Sequence, residues 1–140
     1  MAVLFPLEVH TPYRLFLSEQ VEAISLTLSD GEIAVYANHS PITAPIIPCL
    51  LKIKNKDGTW KIAYCSEGIL EVGELKTILI SDDVSWPEDI DYKRAKTAKE
   101  EAERTLAERM LKFETKAAAD ALQRANMRIR AWEEGKSKRQ

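Results

Sequence analysis

The stretch "VEAISLTLSDGEIAVYANHSPI", residues 21–42, decides how the first half of the chain folds. Within "VEAISLTL", Ile24, Leu26 and Leu28 fall on one face of an extended segment, and Ser25 and Thr27 fall on the other. Period-two alternation of this kind describes a half-buried strand. Asp30-Gly31 then breaks the run, as a turn between antiparallel strands does. The second part, "GEIAVYANHSPI", poses a different question. It holds His39, one of 2 histidines in the chain, beside Ser40. Successive side chains of an extended segment point to opposite faces, so His39 is badly placed to serve Ser40 as a base. No G-x-S-x-G elbow surrounds the serine. Asn38 tolerates left-handed dihedrals, and Pro41 drives its predecessor out of the helical region. The stretch reads as a bend between strands.

Working outward, the same style continues to about residue 85. "WKIAYC" places Trp60, Ile62 and Tyr64 together, "KTILI" ends the series, and Asp57-Gly58 supplies another break. Short strands at such intervals, with no helical pattern between them, favour a sandwich or barrel. The punctuation "SWPEDID" follows, with Pro87 and a cluster of acids. Ser85 with Glu88 has capping-box spacing, and Asp89 is an alternative cap. Beyond it runs a stripe of Ala95, Ala98, Ala102, Leu106, Met110 and Phe113, spaced three and four apart. A second stripe takes in Ala118, Leu122, Ala125, Ile129 and Trp132, and Gly135 is expected to stop the helix. Neither Gly nor Pro separates the stripes, so a helical hairpin and one long helix both remain open. Alanine buries little apolar area, at about 25 cal/mol per Å2, so the helical part depends on docking to something.

The expected fold is therefore α+β. An antiparallel β-sandwich or barrel over residues 1–86 precedes a two-helix segment over 87–140. Charge follows the same division. Residues 1–87 carry 6 Lys+Arg against 11 Asp+Glu, and residues 88–140 carry 14 against 11. An acidic half and a mildly basic half suit different partners.

Several chemistries are disfavoured. His10 and His39 belong to no metal-binding spacing. "EEGKSKRQ" contains G-K-S, but Arg130 stands where a phosphate loop needs its first glycine. Arg124, Arg128 and Arg130 are interleaved with acids, which weakens a nucleic-acid reading. Cys49 and Cys65 lie in no CxxC motif and read as buried free thiols in a reducing, cytoplasmic compartment. No apolar run approaches membrane-spanning length, and "MAVLFPLEVH" lacks the basic start of a signal peptide. An interaction protein with a movable part is left.

Four stretches carry a family resemblance: "GEIAVYANHSPI" (31–42), "SEGILEV" (66–72), "DIDYKRAKTAKEEAERTL" (89–106) and "ALQRANMRIRAW" (121–132). Together they resemble the ε subunits of F-type ATP synthases. Ala34 and Asn38 stand where that signature usually has glycine; Asn at 38 is familiar from plastid relatives. The resemblance implies a non-catalytic rotor subunit, its sandwich set against the γ subunit and the membrane-embedded c-ring. Glu32 is then the expected c-ring contact, and Asn38, His39, Ser40 and Pro41 the region near γ. The C-terminal helices are expected to inhibit ATP hydrolysis, with Arg124, Arg128 and Arg130 meeting the catalytic α/β head. Ile90, Asp91, Arg94 and Ala95, with Arg124 and Arg128, match the motif by which some relatives bind ATP. Glu101, where the clearest binders have arginine, sets charge repulsion against a triphosphate, so ATP is at most a weak regulatory ligand and no cofactor is expected. The implied location is peripheral, on the cytoplasmic face of a bacterial inner membrane, with the stromal face of the thylakoid as alternative. Two other readings compete: a free-standing nucleotide sensor built on the hairpin, and a coiled-coil adaptor with a β-sandwich head.

Overall fold

A computed structural model of the chain describes residues 3–108 and 115–139, the side chains as far as Lys136. It divides into two units, Met1–Ser85 and Trp86–Gln140. Among the described residues the first holds nine strands: β1 (Phe5–His10), β2 (Leu15–Leu28), β3 (Gly31–Tyr36), β4 (Ile42–Ile46), β5 (Cys49–Asn55), β6 (Trp60–Cys65), β7 (Gly68–Val72), β8 (Thr77–Ser81) and β9 (Val84–Ser85). The second holds a 3-10 turn (Pro87–Asp89) and two helices, α1 (Tyr92–Glu108) and α2 (Thr115–Arg139).

The alternation in "VEAISLTL" belongs to the end of a much longer strand. β2 has 14 residues, more than twice the usual length, and its burial phase changes partway. Val21 and Ala23 are buried, then Ile24 and Leu26. The switch coincides with a bulge, since Val21 pairs with Asn55 of β5 but Ala23 already pairs with Lys54. One extra residue, Glu22, turns the strand over. Its first part therefore pairs with β1 and its last part with β3 and β5, so β2 is shared by both layers of the sandwich. β8, β7 and β4 complete one layer, and β6 and β9 extend the other. All pairings are antiparallel except that of β1 with β8, where Leu7 meets Thr77. Leu7, Ile24, Leu51, Ile53, Leu70 and Leu79 are almost wholly removed from water and form the core.

Two departures from simple alternation have physical causes. In β6 every residue from Ile62 to Cys65 is buried, while Trp60 remains exposed. The strand is covered on both faces at its end and on neither at its start. In "SEGILEV", a side chain at Gly68 would collide with the Ile80 carbonyl of β8. Glycine lets the two strands close at the Gly68–Ser81 pair.

In the second unit α1 and α2 pack side by side as an antiparallel hairpin. Ala95 and Ala102 of α1 are buried, as are Ala118 and Ala125 of α2, each pair seven residues apart. These are the expected stripes; Met110 and Phe113 lie outside the described residues. At one end Tyr92 stacks on Trp132, with ring centroids 4.2 Å apart and planes inclined by 21°. The Lys96 ammonium lies 5.3 Å from the Tyr92 ring and the Lys136 ammonium 5.2 Å from the Trp132 ring, extending the stack at both ends.

The helix boundaries correct two expectations. Neither Ser85 nor Asp89 caps a helix. Pro87–Asp89 forms a 3-10 turn, and Ile90 returns to extended dihedrals, so α1 can begin only after it. Asp91 is the cap, its Oδ1 accepting from the Arg94 amide at 3.1 Å. Gly135 does not end α2, which continues to Arg139. A Cβ there would collide with the Pro87 ring, so the glycine permits close approach of helix and 3-10 turn. Ala131, fully buried and one helical turn earlier, lies on the same side of α2 and outside the expected stripe.

Candidate functional site

On the sandwich, the signature stretch forms an edge strand followed by a tight turn. Among the described residues β3 pairs only with β2, Glu32 opposite Thr27, and Glu32 is exposed. The outer edge of β3 thus presents backbone groups together with a carboxylate, and charge on an edge discourages indiscriminate strand pairing. The chain turns when the His39 amide donates to the Tyr36 carbonyl at 3.3 Å. Asn38 occupies the third position of that turn with φ 65°, a conformation in which type II turns favour Gly or Asn. Asparagine therefore serves in place of the signature glycine without a change of fold. His39 Nδ1 lies 2.7 Å from the Ser40 carbonyl oxygen. A carbonyl only accepts, so Nδ1 carries the hydrogen and the ring is held by the backbone. Ser40 and Pro41 are exposed on the far side of the bend. The geometry is that of a tight backbone turn and offers no arrangement for nucleophilic catalysis.

A cavity of about 470 Å3 opens beside this corner, lined by Val3, Tyr36, Asn38, His39, Pro41 and Leu75 among others. Tyr36 and Leu75 are strongly exposed apolar side chains. Nearby, the carboxylate of Glu8 accepts from Lys76 at 3.0 Å and lies 2.9 Å from His10 Nε2. The hydrogen bond with His10, then that from Lys76, holds the Glu8 carboxyl below its usual range.

On the helical unit, Arg124 and Arg128 sit one turn apart on α2, half-buried and on one side. Arg130 is exposed, pairs with Glu134 Oε1 at 3.2 Å, and projects from roughly the opposite side of the helix to Arg128. The structure thus brings two of the three arginines together. The I-D-x-x-R-A residues divide by task. Ile90 is buried, Asp91 caps α1, Arg94 is exposed, and Ala95 is buried at the helix pair. Three of these four have duties in the helix start itself. A gap of about 620 Å3 between the helices is lined by Ala98, Glu101, Ala102, Thr105, Ala117, Ala118 and Ala121. Among the described residues its one charged side chain is an acid, which is unsuited to a triphosphate.

Among the described residues, no group of three or more His, Cys, Asp or Glu side chains gathers to hold a metal, and no helix is long and apolar enough to cross a membrane. Sequence reasoning missed the Tyr92–Trp132 stack and the Gly135–Pro87 contact. Trp132 closes the second stripe, but Tyr92 precedes the first one, so helical spacing alone does not join them.

Comparison with known proteins gives a consistent likeness over most of the chain. Residues 4–87 match the family described as ATP synthase, Delta/Epsilon chain, beta-sandwich domain, and residues 88–133 match the corresponding long alpha-helix domain. The chain is 46% identical over 132 residues to an ATP synthase epsilon chain of Caldicellulosiruptor bescii, covering 94% of this chain and 96% of that one. It is 45% identical over 127 residues to that of Caldanaerobacter subterraneus, covering 90% and 91%. The fold is similar to a chain in the mitochondrial ATP synthase of Euglena gracilis, with TM-score 0.68, 19% identity, and coverage of 98% of this chain and 82% of that chain. A chain from the Tetrahymena thermophila central stalk and c-ring gives TM-score 0.54 and 16% identity, with coverage of 95% and 96%.

Proposed function

The chain belongs to the family of ATP synthase delta/epsilon chains, and from that premise we propose that it is the ε-type rotor subunit of the central stalk, joining the γ subunit to the c-ring and restraining ATP hydrolysis through its helices. It is an accessory chain; the complex is the enzyme. The observation that carries the reading is that both units match, in order and over nearly their full length, the two parts of one family.

The sandwich supplies the coupling surface. Glu32, exposed on edge strand β3, meets the c-ring, and the Asn38–Pro41 corner with its adjoining cavity lies toward γ. The helical unit supplies regulation. Arg124 and Arg128 together contact the catalytic head, and Arg130, engaged with Glu134, is a lesser contributor. ATP binding by the hairpin is weak or absent, because Glu101 faces the gap in which a positive residue would be needed. Calorimetry of the full chain with millimolar ATP should register no binding; micromolar affinity would overturn this. The complex is proposed to be proton-translocating and to lie on the cytoplasmic face of a bacterial membrane, in keeping with the bacterial relatives. The thylakoid alternative rests on Asn38 alone.

The test is ATP hydrolysis by the cognate catalytic head stripped of this chain. The full chain and a version ending at Trp86 are titrated back, with binding recorded beside rate. Both should bind, and only the full chain should slow hydrolysis. An Arg124→Glu/Arg128→Glu chain should bind and inhibit less. Failure of both parent chains to bind would overturn the assignment, and binding without inhibition would remove the regulatory part.

A further inference from the structure

Cys49 opens β5 and Cys65 closes β6, and the pairing of these strands sets the two residues directly opposite one another. Opposed residues of an antiparallel pair have Cα atoms about 4.5 or 5.5 Å apart and side chains on the same face of the sheet. Both spacings fall inside the range a disulfide bridges, roughly 4.4–6.8 Å. The two cysteines are free, and their exposures are 3% and 0%. Apart in sequence, they are neighbours through the fold of the hairpin.

We propose that Cys49 and Cys65 are a preorganised dithiol that a hydroperoxide oxidises to a cross-strand disulfide, with Cys49 as the attacking sulfur and Cys65 as the resolving one. The roles follow from the surroundings. Cys65 is the more deeply enclosed, and its Sγ also lies 3.4 Å from the Ser66 carbonyl, an acceptor for a thiol hydrogen. Hydrogen bonding with Cys49 and burial both hold Cys65 in its protonated form. For Cys49 the hydrogen bond with Cys65 acts toward the thiolate, burial opposes it, and bonds with Thr27 add to the lowering. A thiolate is the nucleophile in such reactions, and Cys49, the less enclosed of the two, is the one an entering peroxide meets first. Near-complete burial also selects the oxidant, since a small hydroperoxide can enter on a brief opening of the strand ends whereas glutathione disulfide needs a wide one.

The chemistry balances. The Cys49 thiolate attacks one peroxide oxygen, the O–O bond breaks, and sulfenic acid and hydroxide form. Cys65 sulfur then attacks the Cys49 sulfur and displaces its hydroxyl, which leaves as water with the Cys65 proton. Overall two thiols and one H2O2 give one disulfide and two waters, the sulfurs oxidised and the peroxide reduced.

The experiment exposes the folded full chain to hydrogen peroxide, quenches with catalase, unfolds it in the presence of N-ethylmaleimide, and maps the peptides. The expected product is a Cys49–Cys65 crosslinked peptide pair that dithiothreitol releases, as the main oxidised form of the folded chain. In Cys65→Ala, dimedone should trap a sulfenic acid at Cys49. Recovery of two maleimide-labelled thiols, or sulfinic acid at either site without crosslink, would overturn the proposal. The wild-type result stands even if the variant does not fold.

Discussion

Glu8 shows how much a single side chain can hold at the surface. Its carboxylate accepts from Lys76 and lies within hydrogen-bonding distance of His10, and these partners favour the charged form. The folded-state pKa is therefore lowered from the ordinary value of 4.5. A depressed carboxylate contributes stability that is fully present above the unfolded pKa and is lost as pH falls through the folded one. Glu8→Gln should therefore lower the urea midpoint near neutrality, and the gap from the parent should close in acid, as pH falls through the lowered folded-state pKa. A constant offset at all pH values would show that the ion pairs contribute nothing. This cluster was not legible in the sequence, because Lys76 joins it only through the pairing of β1 with β8. The corner at Asn38 was legible, since its backbone preference belongs to the residue itself and the positive φ follows. Which surfaces meet partners is another matter. Glu32 and the three arginines could be singled out only by resemblance, because an exposed charge has no local signature that separates a contact from a solvated side chain.

At the level of elements, periodicity identified both helices but misplaced their ends. The acids of "SWPEDID" offered several caps, and the 3-10 turn decided among them by consuming Pro87–Asp89 and leaving Asp91. The same turn explains why Gly135 sits inside α2 instead of after it. Replacing a helical glycine by alanine ordinarily gains about 1 kcal/mol. Here the added methyl meets the Pro87 ring, and overpacking costs about 1–3 kcal/mol. Gly135→Ala is thus expected to lower the thermal midpoint of the helical signal at 222 nm, and Pro87→Ala in the same chain should recover part of the loss. A midpoint raised by Gly135→Ala would mean that the contact yields at no cost. In β2 the alternation was read correctly over Ile24–Leu28, but the bulge at Glu22 was missed. One strand serving two layers changes its buried face midway, and a single period cannot describe it.

Across the whole molecule the two units differ in what holds them. The first buries branched and aromatic side chains such as Ile24, Ile53 and Tyr64, while the helix pair buries mainly alanines. Burying a Leu- or Ile-sized side chain is worth roughly 1.5–3 kcal/mol and an alanine methyl well under 1. The version ending at Trp86 should therefore unfold cooperatively in urea by strand circular dichroism, with a midpoint close to that of the sandwich in the full chain. Loss of cooperativity would show that the sandwich needs the helices. The division into a strand half and a helix half was plain from the change of period near residue 85, whereas the hairpin arrangement was not, because nothing between the stripes forbids one continuous helix. The parallel pairing of β1 with β8 has a consequence for the order of events as the chain is made. β1 finds β2 within a few residues, but its other edge waits for Thr77–Ser81, about seventy positions later. Such distant pairings form slowly, and until they form an unpaired edge is available to other chains. The nascent protein can close its sandwich only once β8 has left the ribosome, and a synthesis pause before Thr77 would prolong the interval in which β1 is open to misassembly.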